Sequence, residues 1–200
     1  MDFTLNEQQT ELQRVARDFA QKEMISVALE MEEKNIPLPK DWLKKYAEMG
    51  FLGINVGKKY GGLGLSNLEA LLVIEEFAKI SSAVAFPIFE SCVGPVKAIE
   101  HFANEDLKMR VITEVCKGNI IIAVSMSEPN AGSALTDLTT KAEIQGDKIV
   151  INGTKRWCSG GGHSEGYVVY CKMSDAPGAK GIGAVYVEKD SKGLSFGQQE

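Results

Sequence analysis

From residue 4 to about residue 117, apolar side chains recur at helical spacing. Leu12, Val15, Ala16 and Phe19 fall on one helix face, followed by Met24, Val27 and Ala28. Thr4, with Glu7 three residues on, reads as a capping box at the start of this run. A second helix is expected over residues 41–49, stopped by Gly50, and a third begins at Ser66, whose capping partner is Glu69. Residues 82–117 read as two further helices, broken around Ala103-Asn104-Glu105 and ended at Lys117-Gly118, where glycine can take the left-handed conformation of a helix exit. Between the second and third helices lies Tyr60-Gly61-Gly62-Leu63-Gly64. It lacks GxGxxG spacing and follows no strand-like run, so it reads as a structural turn.

After Gly118 the pattern changes to short β-branched runs at 119–126, 148–152, 167–172 and 183–188. Gly146-Asp147 and Asn152-Gly153 sit between such runs as tight-turn signals, the second being the preferred pair of a type I′ hairpin. Helices first and strands second, without βαβ alternation, point to two segregated domains, 1–118 and 119–200, and away from a Rossmann sheet. No internal repeat and no low-complexity linker interrupts them.

Composition narrows the reading a little. A 200-residue chain that is 44% hydrophobic and 24% charged can bury a core of its own. Its 27 acidic and 22 basic side chains give a net charge of −5, which argues against a general nucleic-acid surface but leaves room for a local phosphate contact. Cys92, Cys116, Cys158 and Cys171 show no CxxC pairing, and His101 and His163 are too scattered for a zinc signature, so no metal site is expected and the thiols read as buried and reduced. Met1 leads almost directly into Leu5-Asn6-Glu7-Gln8 with no basic or apolar leader pattern. No run looks long enough to span a bilayer, and the expected compartment is cytoplasmic.

Two segments have the chemistry to hold a ligand. Ser127-Glu128-Pro129-Asn130-Ala131-Gly132-Ser133 is a turn just after an apolar strand; it can present backbone N–H groups and two hydroxyls to one ligand, or be a plain strand-to-loop exit. In Lys155-Arg156-Trp157-Cys158-Ser159-Gly160-Gly161-Gly162, period-two alternation of an extended strand places Trp157 and Ser159 on one face. A flat ring and a hydroxyl facing the same way suit a planar ligand. The alternative is that Trp157 is core.

These segments, with the glycine turn, resemble acyl-CoA dehydrogenases. Residues 127–134, 157–161 and 60–64 are similar to that family's T-E-P-x-A-G-S-D, W-I-[TS]-N-G and Y-G-G-x-G motifs, in the family's order and at about its spacing, and the similarity runs from Phe3 to the last residue. The fold this implies is α+β and multidomain: an N-terminal all-α helical domain, then an antiparallel β-barrel domain that is incomplete at its C-terminal end. The cofactor it implies is FAD, contacted by Val124, Ser125, Met126, Ser127, Gly132, Ser133, Trp157, Cys158 and Ser159. By similarity Met126 acts through its backbone, Ser127 lies near the pyrimidine edge, and Gly132 and Ser133 lie at the diphosphate. Trp157 lies against the ring, and Ser159 donates near N5 and O4. Ser133 would also touch the acyl-CoA, whose acyl pocket Phe86, Phe89 and Glu90 would wall, although core packing explains those three almost as well. The chain departs from the pattern at Ser127 for Thr, Ala134 for Asp, Cys158 for Ile and Gly160 for Asn, and has Gly57-Lys58-Lys59 where the family has a Pro-Glu pair before Tyr60.

The activity implied is α,β-dehydrogenation of an acyl-CoA thioester in fatty or carboxylic acid metabolism. A carboxylate takes the α-proton, hydride leaves to flavin N5, and electrons pass to an electron-transfer flavoprotein. Family members run to about twice this length and form homo-oligomers, tetramers or dimers. Their C-terminal helical bundle carries the Glu base, so the base is expected beyond Glu200 and the 200-residue chain alone is expected to be inactive. Glu75, Glu76, Glu90 and Glu128 read as helix-surface, pocket-wall or loop groups. The alternatives are a flavin oxidase or monooxygenase of the same superfamily and a non-catalytic acyl-CoA-binding module.

Overall fold

A computed structural model describes residues 4–197. The chain divides into two compact units at Ile121/Ile122.

The first unit is helical. Helix α1 (Glu7–Phe19) begins two residues later than its sequence suggests, because the reciprocal box is made by Asn6 and Gln9 rather than Thr4 and Glu7. The Gln9 N–H donates to Asn6 Oδ1 at 2.8 Å, and the Asn6 N–H donates to Gln9 Oε1 at 3.1 Å. Two side-chain amides thus do the work of the expected hydroxyl and carboxylate. α1 continues through a π turn (Ala20–Met24) into α2 (Ile25–Lys34). Ala16, Ala20 and Met24 are all buried, and two successive four-residue steps would carry Met24 about 80° round a regular α-helix. The wider π turn takes up that drift and keeps the buried stripe continuous.

Helix α3 (Lys40–Glu48) ends before Gly50, which has φ +73°. Helix α4 (Asn67–Ala78) is capped by Ser66 and Glu69 as expected. The core joins these helices through Phe19, Tyr46, Phe51 and Phe77, whose ring centroids lie 5.1 to 6.1 Å apart. Most of these pairs meet edge to face, the arrangement that aromatic quadrupoles favour. The Tyr46 hydroxyl, fully buried, donates to the Val84 carbonyl at 3.0 Å, which removes the cost of an unpaired buried O–H. Arg17 on α1 donates to both oxygens of the buried Glu76 on α4, at 3.0 and 3.1 Å.

Residues 82–117 form three helices rather than the two expected: α5 (Ser82–Cys92), α6 (Pro95–Phe102) and α7 (Glu105–Cys116). The extra break falls at Gly94-Pro95, where proline supplies the first residue of a new helix at no hydrogen-bond cost. The stretch Ser82–Phe102 is long and apolar enough to cross a bilayer by composition, contrary to expectation. More than half of it is buried inside this unit, and the break divides it in two. α7 ends as expected at Gly118, φ +65°, which donates to the Val115 carbonyl at 2.9 Å.

The glycine turn is structural. The Leu63, Gly64 and Leu65 N–H groups donate to the Gly53, Val56 and Ile54 carbonyls at 3.2, 2.8 and 3.0 Å, so the turn folds back on the chain that precedes it. A Cβ on Gly62 would lie 2.3 Å from the Val56 oxygen and 2.6 Å from the Gly53 oxygen.

The second unit is a single sheet of β1 (Ile122–Ser125), β2 (Lys141–Gln145), β3 (Lys148–Asn152), β4 (Gly166–Lys172) and β5 (Ile182–Glu188). Its order is β1-β4-β2-β3, with β5 on the other side of β4. β2–β3 and β4–β5 pair antiparallel, whereas β1–β4 and the single contact of β2 with β4 are parallel. The sheet is therefore mixed and open, not the antiparallel barrel that the resemblance implied. Hairpins give the antiparallel pairs. β1 meets β4 only after the β2–β3 hairpin has intervened, the long connection that a parallel pair needs. The tight hairpin turn lies at Gly146-Asp147, with Gly146 at φ +65°, and not at Asn152-Gly153. Gly153 serves close approach instead: a Cβ there would lie 2.2 Å from Thr140 Oγ1.

The Gly62 contacts are with backbone oxygens that cannot swing aside. Gly62→Ala is expected to destabilise the helical unit by about 2 to 3 kcal/mol, read as a lower urea midpoint at unchanged slope.

Candidate functional site

The two ligand-capable segments meet beside the end of β1. The Arg156 N–H donates to the Ser127 carbonyl at 2.9 Å, Lys155 Nζ donates to the Met126 carbonyl at 2.9 Å, and Cys158 Sγ lies 3.5 Å from the Val124 carbonyl. Residues 155–158 therefore run alongside 124–128 in the opposite sense. In between, Glu128 and Ala131 exchange backbone hydrogen bonds at 2.8 and 3.2 Å, and Pro129-Asn130 form an exposed two-residue tip. Past that tip, Gly132 and Ser133 are exposed, and a Cβ on Gly132 would meet nothing within 4 Å. The glycine thus borders open space that a ligand backbone or phosphate could enter. Ser125 is buried, Val124, Met126, Ser127 and Cys158 are half-buried, and Ser159 is exposed.

Trp157 departs from its expected geometry. Its φ is +60°, in the left-handed region, so the chain here is not an extended strand and period-two alternation does not align it with Ser159. It is not core either, being 65% exposed. A bulky side chain in that backbone region costs on the order of 1 to 3 kcal/mol and persists only where its surroundings enforce it. The Arg156 guanidinium lies 4.4 Å from the Trp157 ring centroid, within cation–π range.

Two residues before Trp157, Lys155 is tied to Glu128, a residue expected from the sequence to be an ordinary loop group. Glu128 is buried, and its carboxylate accepts from the Thr139 N–H at 2.6 Å, the Thr139 hydroxyl at 2.8 Å, the Thr140 N–H at 2.9 Å and Lys155 Nζ at 2.9 Å. Burial alone would raise its pKa. The threonine and Lys155 hydrogen bonds outweigh burial and hold it well below the usual carboxylate range. No local pattern marks this role, because Lys155 lies far along the chain and only the fold brings it to Glu128.

The three residues expected to wall an acyl pocket belong to the helical unit. Phe86 and Phe89 lie one turn apart on α5, each 36% exposed, with ring centroids 5.4 Å apart. Glu90 is 3% exposed, and its Oε2 has no hydrogen-bond partner among the described residues. Burial pushes its pKa up to about 8. The lack of a side chain at Gly94 makes room for it, since a Cβ there would lie 2.8 Å from Glu90 Oε2.

Comparison with known proteins matches residues 6–119 to the family described as acyl-CoA dehydrogenase, N-terminal domain, and residues 123–200 to acyl-CoA dehydrogenase, middle domain. The chain is 37% identical over 198 residues to the mitochondrial isobutyryl-CoA dehydrogenase of Dictyostelium discoideum, an alignment covering 98% of this chain and 47% of that protein. Its fold superposes on butyryl-CoA dehydrogenase from Megasphaera elsdenii with a TM-score of 0.89 and 28% identity, covering 100% of this chain and 53% of that one. It superposes on the FAD complex of PigA with a TM-score of 0.90 and 26% identity, covering 99% and 52% respectively. The chain spans about half the length of the curated relatives it matches.

Glu90 makes stability depend on pH with a definite sign. Its folded pKa of about 8 lies above the ordinary 4.5, so its contribution is fully present below 4.5 and is lost as pH rises toward 8. Between about pH 5.5 and pH 7.5 the helical unit is expected to lose on the order of 2 kcal/mol, and Glu90→Gln should flatten that slope in urea titrations at the two pH values.

Proposed function

The chain belongs to the acyl-CoA dehydrogenase family, and we propose that the whole protein dehydrogenates a short-chain acyl-CoA thioester, with FAD seated on the second unit beside the end of β1. The observation that carries this reading is Trp157, an exposed indole on a left-handed backbone turn whose preceding residue, Arg156, donates to the Ser127 carbonyl at the strand exit. The residues present fit the cofactor. An indole face offers stacking area, the Ser127 and Ser159 hydroxyls can donate, and Gly132 borders the open space that a diphosphate needs.

Bound there, FAD supplies the acceptor for the substrate's β-hydrogen. The protein's part is orientation and electrostatics. Donors along one edge of the ring matter most once electrons have arrived, so Ser127 acts chiefly on the reduced state. Indole stacking contributes mainly through buried apolar area, and so to affinity.

Support for a short acyl group comes from the four-carbon substrates named for two of the relatives. The α-proton needs a carboxylate that is ionised and free at neutral pH. Glu90, with its pKa pushed up to about 8, holds its own proton, and Glu128 has its oxygens committed to four donors. Neither of these two buried carboxyls offers such a group, and we place the base in the part of the relatives' length that this chain does not span, with electrons passing onward to an electron-transfer flavoprotein.

In the complete protein, Trp157→Ala is expected to weaken FAD binding by about 2 kcal/mol, which is roughly thirtyfold in Kd. Ser127→Ala should change Kd only a few-fold and move the reduction potential to a more negative value. FAD titration with potentiometry checks both, and unchanged affinity in Trp157→Ala would sink the site. The 200-residue chain, given excess FAD and butyryl-CoA, is expected to reduce no electron acceptor above a flavin-only control. Turnover would put a base among residues 1–200.

A further inference from the structure

Three side chains near the site are more constrained than packing requires. Lys155, nearly buried, gives its ammonium to two acceptors, the Met126 carbonyl at 2.9 Å and Glu128 Oε1 at 2.9 Å. Glu128 in turn receives Thr139 and the Thr140 N–H, which lead directly into β2. Two residues beyond Lys155, Trp157 carries an unfavourable φ of +60° while most of its surface faces solvent, so packing around the ring, apart from the neighbouring Arg156 guanidinium, supplies little of the restraint.

We propose that the buried Lys155–Glu128 pair is a positioning device that holds the Trp157 backbone in its left-handed conformation and so fixes the direction of the exposed indole. The restraint works by pinning the chain on one side of the turn. Lys155 is tied through its ammonium to residues 126 and 128, and Arg156 is tied through its backbone N–H to Ser127. With both residues before Trp157 fixed, the step to Cys158, whose sulfur returns to the Val124 carbonyl, requires the left-handed turn. If the pair is removed, Lys155 is free, the turn can relax to the β region that bulky residues prefer, and the indole swings away. The flavin reading above enters only in what the indole is held against.

Trp42→Phe leaves Trp157 as the only tryptophan, which allows its motion to be read directly. In that background, time-resolved anisotropy should show the amplitude of the fast, sub-rotational component rising roughly twofold in Lys155→Met. The same rise is expected in the charge-balanced double variant Lys155→Met/Glu128→Gln, which leaves no uncompensated buried charge if the single variant does not fold. Lys155→Arg, which keeps a cation and its donors, should restore the original decay. Unchanged anisotropy in a folded double variant overturns the proposal, as does Lys155→Arg behaving like Lys155→Met. Loss of the folded β unit in the double variant overturns it too, because the pair would then be a stability element only. FAD titration of the same variants in the complete protein separates the two readings. A mobile indole with weakened binding supports both, and a mobile indole with unchanged binding keeps the positioning role and removes the flavin from Trp157.

Discussion

A carboxylate buried in a β unit has to be matched on both oxygens, and that requirement organises the second half of this chain. Glu128 is matched by Thr139, Thr140 and Lys155, which come from the approach to β2 and from the segment after β3. Leaving a buried charge unpaired would cost several kcal/mol, so the loops are ordered in order to satisfy it. The strand exit at 126–128, the entry to β2 and the run 155–158 are thereby held as one object, although hairpin pairing alone would leave them independent. The exposed indole of Trp157 stands on that object.

The helical unit places a carboxyl inside with the opposite result. Glu90 is buried like Glu128, but among the described residues no donor reaches its Oε2, and it keeps its proton at neutral pH. Glu76 is a third case: the Arg17 and Lys79 hydrogen bonds hold it below the usual range in spite of burial. Burial disfavours the charged form in all three, and the donors at hand decide the outcome. A reaction that needs a free carboxylate is served by none of them, which agrees with a base supplied from outside this stretch of chain.

Around these charges the helical unit is built in a simpler way. Phe19, Tyr46, Phe51 and Phe77 tie α1, α3, α4 and the chain after α3 to one centre, and the glycine turn at 61–64 folds back beneath it. Gly62 has no space for a side chain because two carbonyl oxygens occupy it. The motif that resembles the family's Y-G-G-x-G is therefore a packing motif here, close backbone on close backbone.

What the sequence determined by itself was whatever depends on neighbours along the chain. Ser66 with Glu69 capped α4, Gly50 and Gly118 followed helix ends, the switch from helical to strand-like periodicity fell near residue 120, and three short motifs pointed to the family. Each of these is a local preference expressed within a few residues. The tertiary structure decided everything that couples distant residues. The parallel pairing of β1 with β4, the open mixed sheet and the choice of Gly146-Asp147 as the hairpin turn follow from how the sheet is assembled, which alternation does not encode. Trp157 shows the difference most clearly. Its sequence context reads as an extended strand, yet the buried ion pair of Lys155 with Glu128 restrains the chain two residues before it, and a left-handed backbone results, because a long-range charge constraint outweighs a local preference worth only a few kcal/mol.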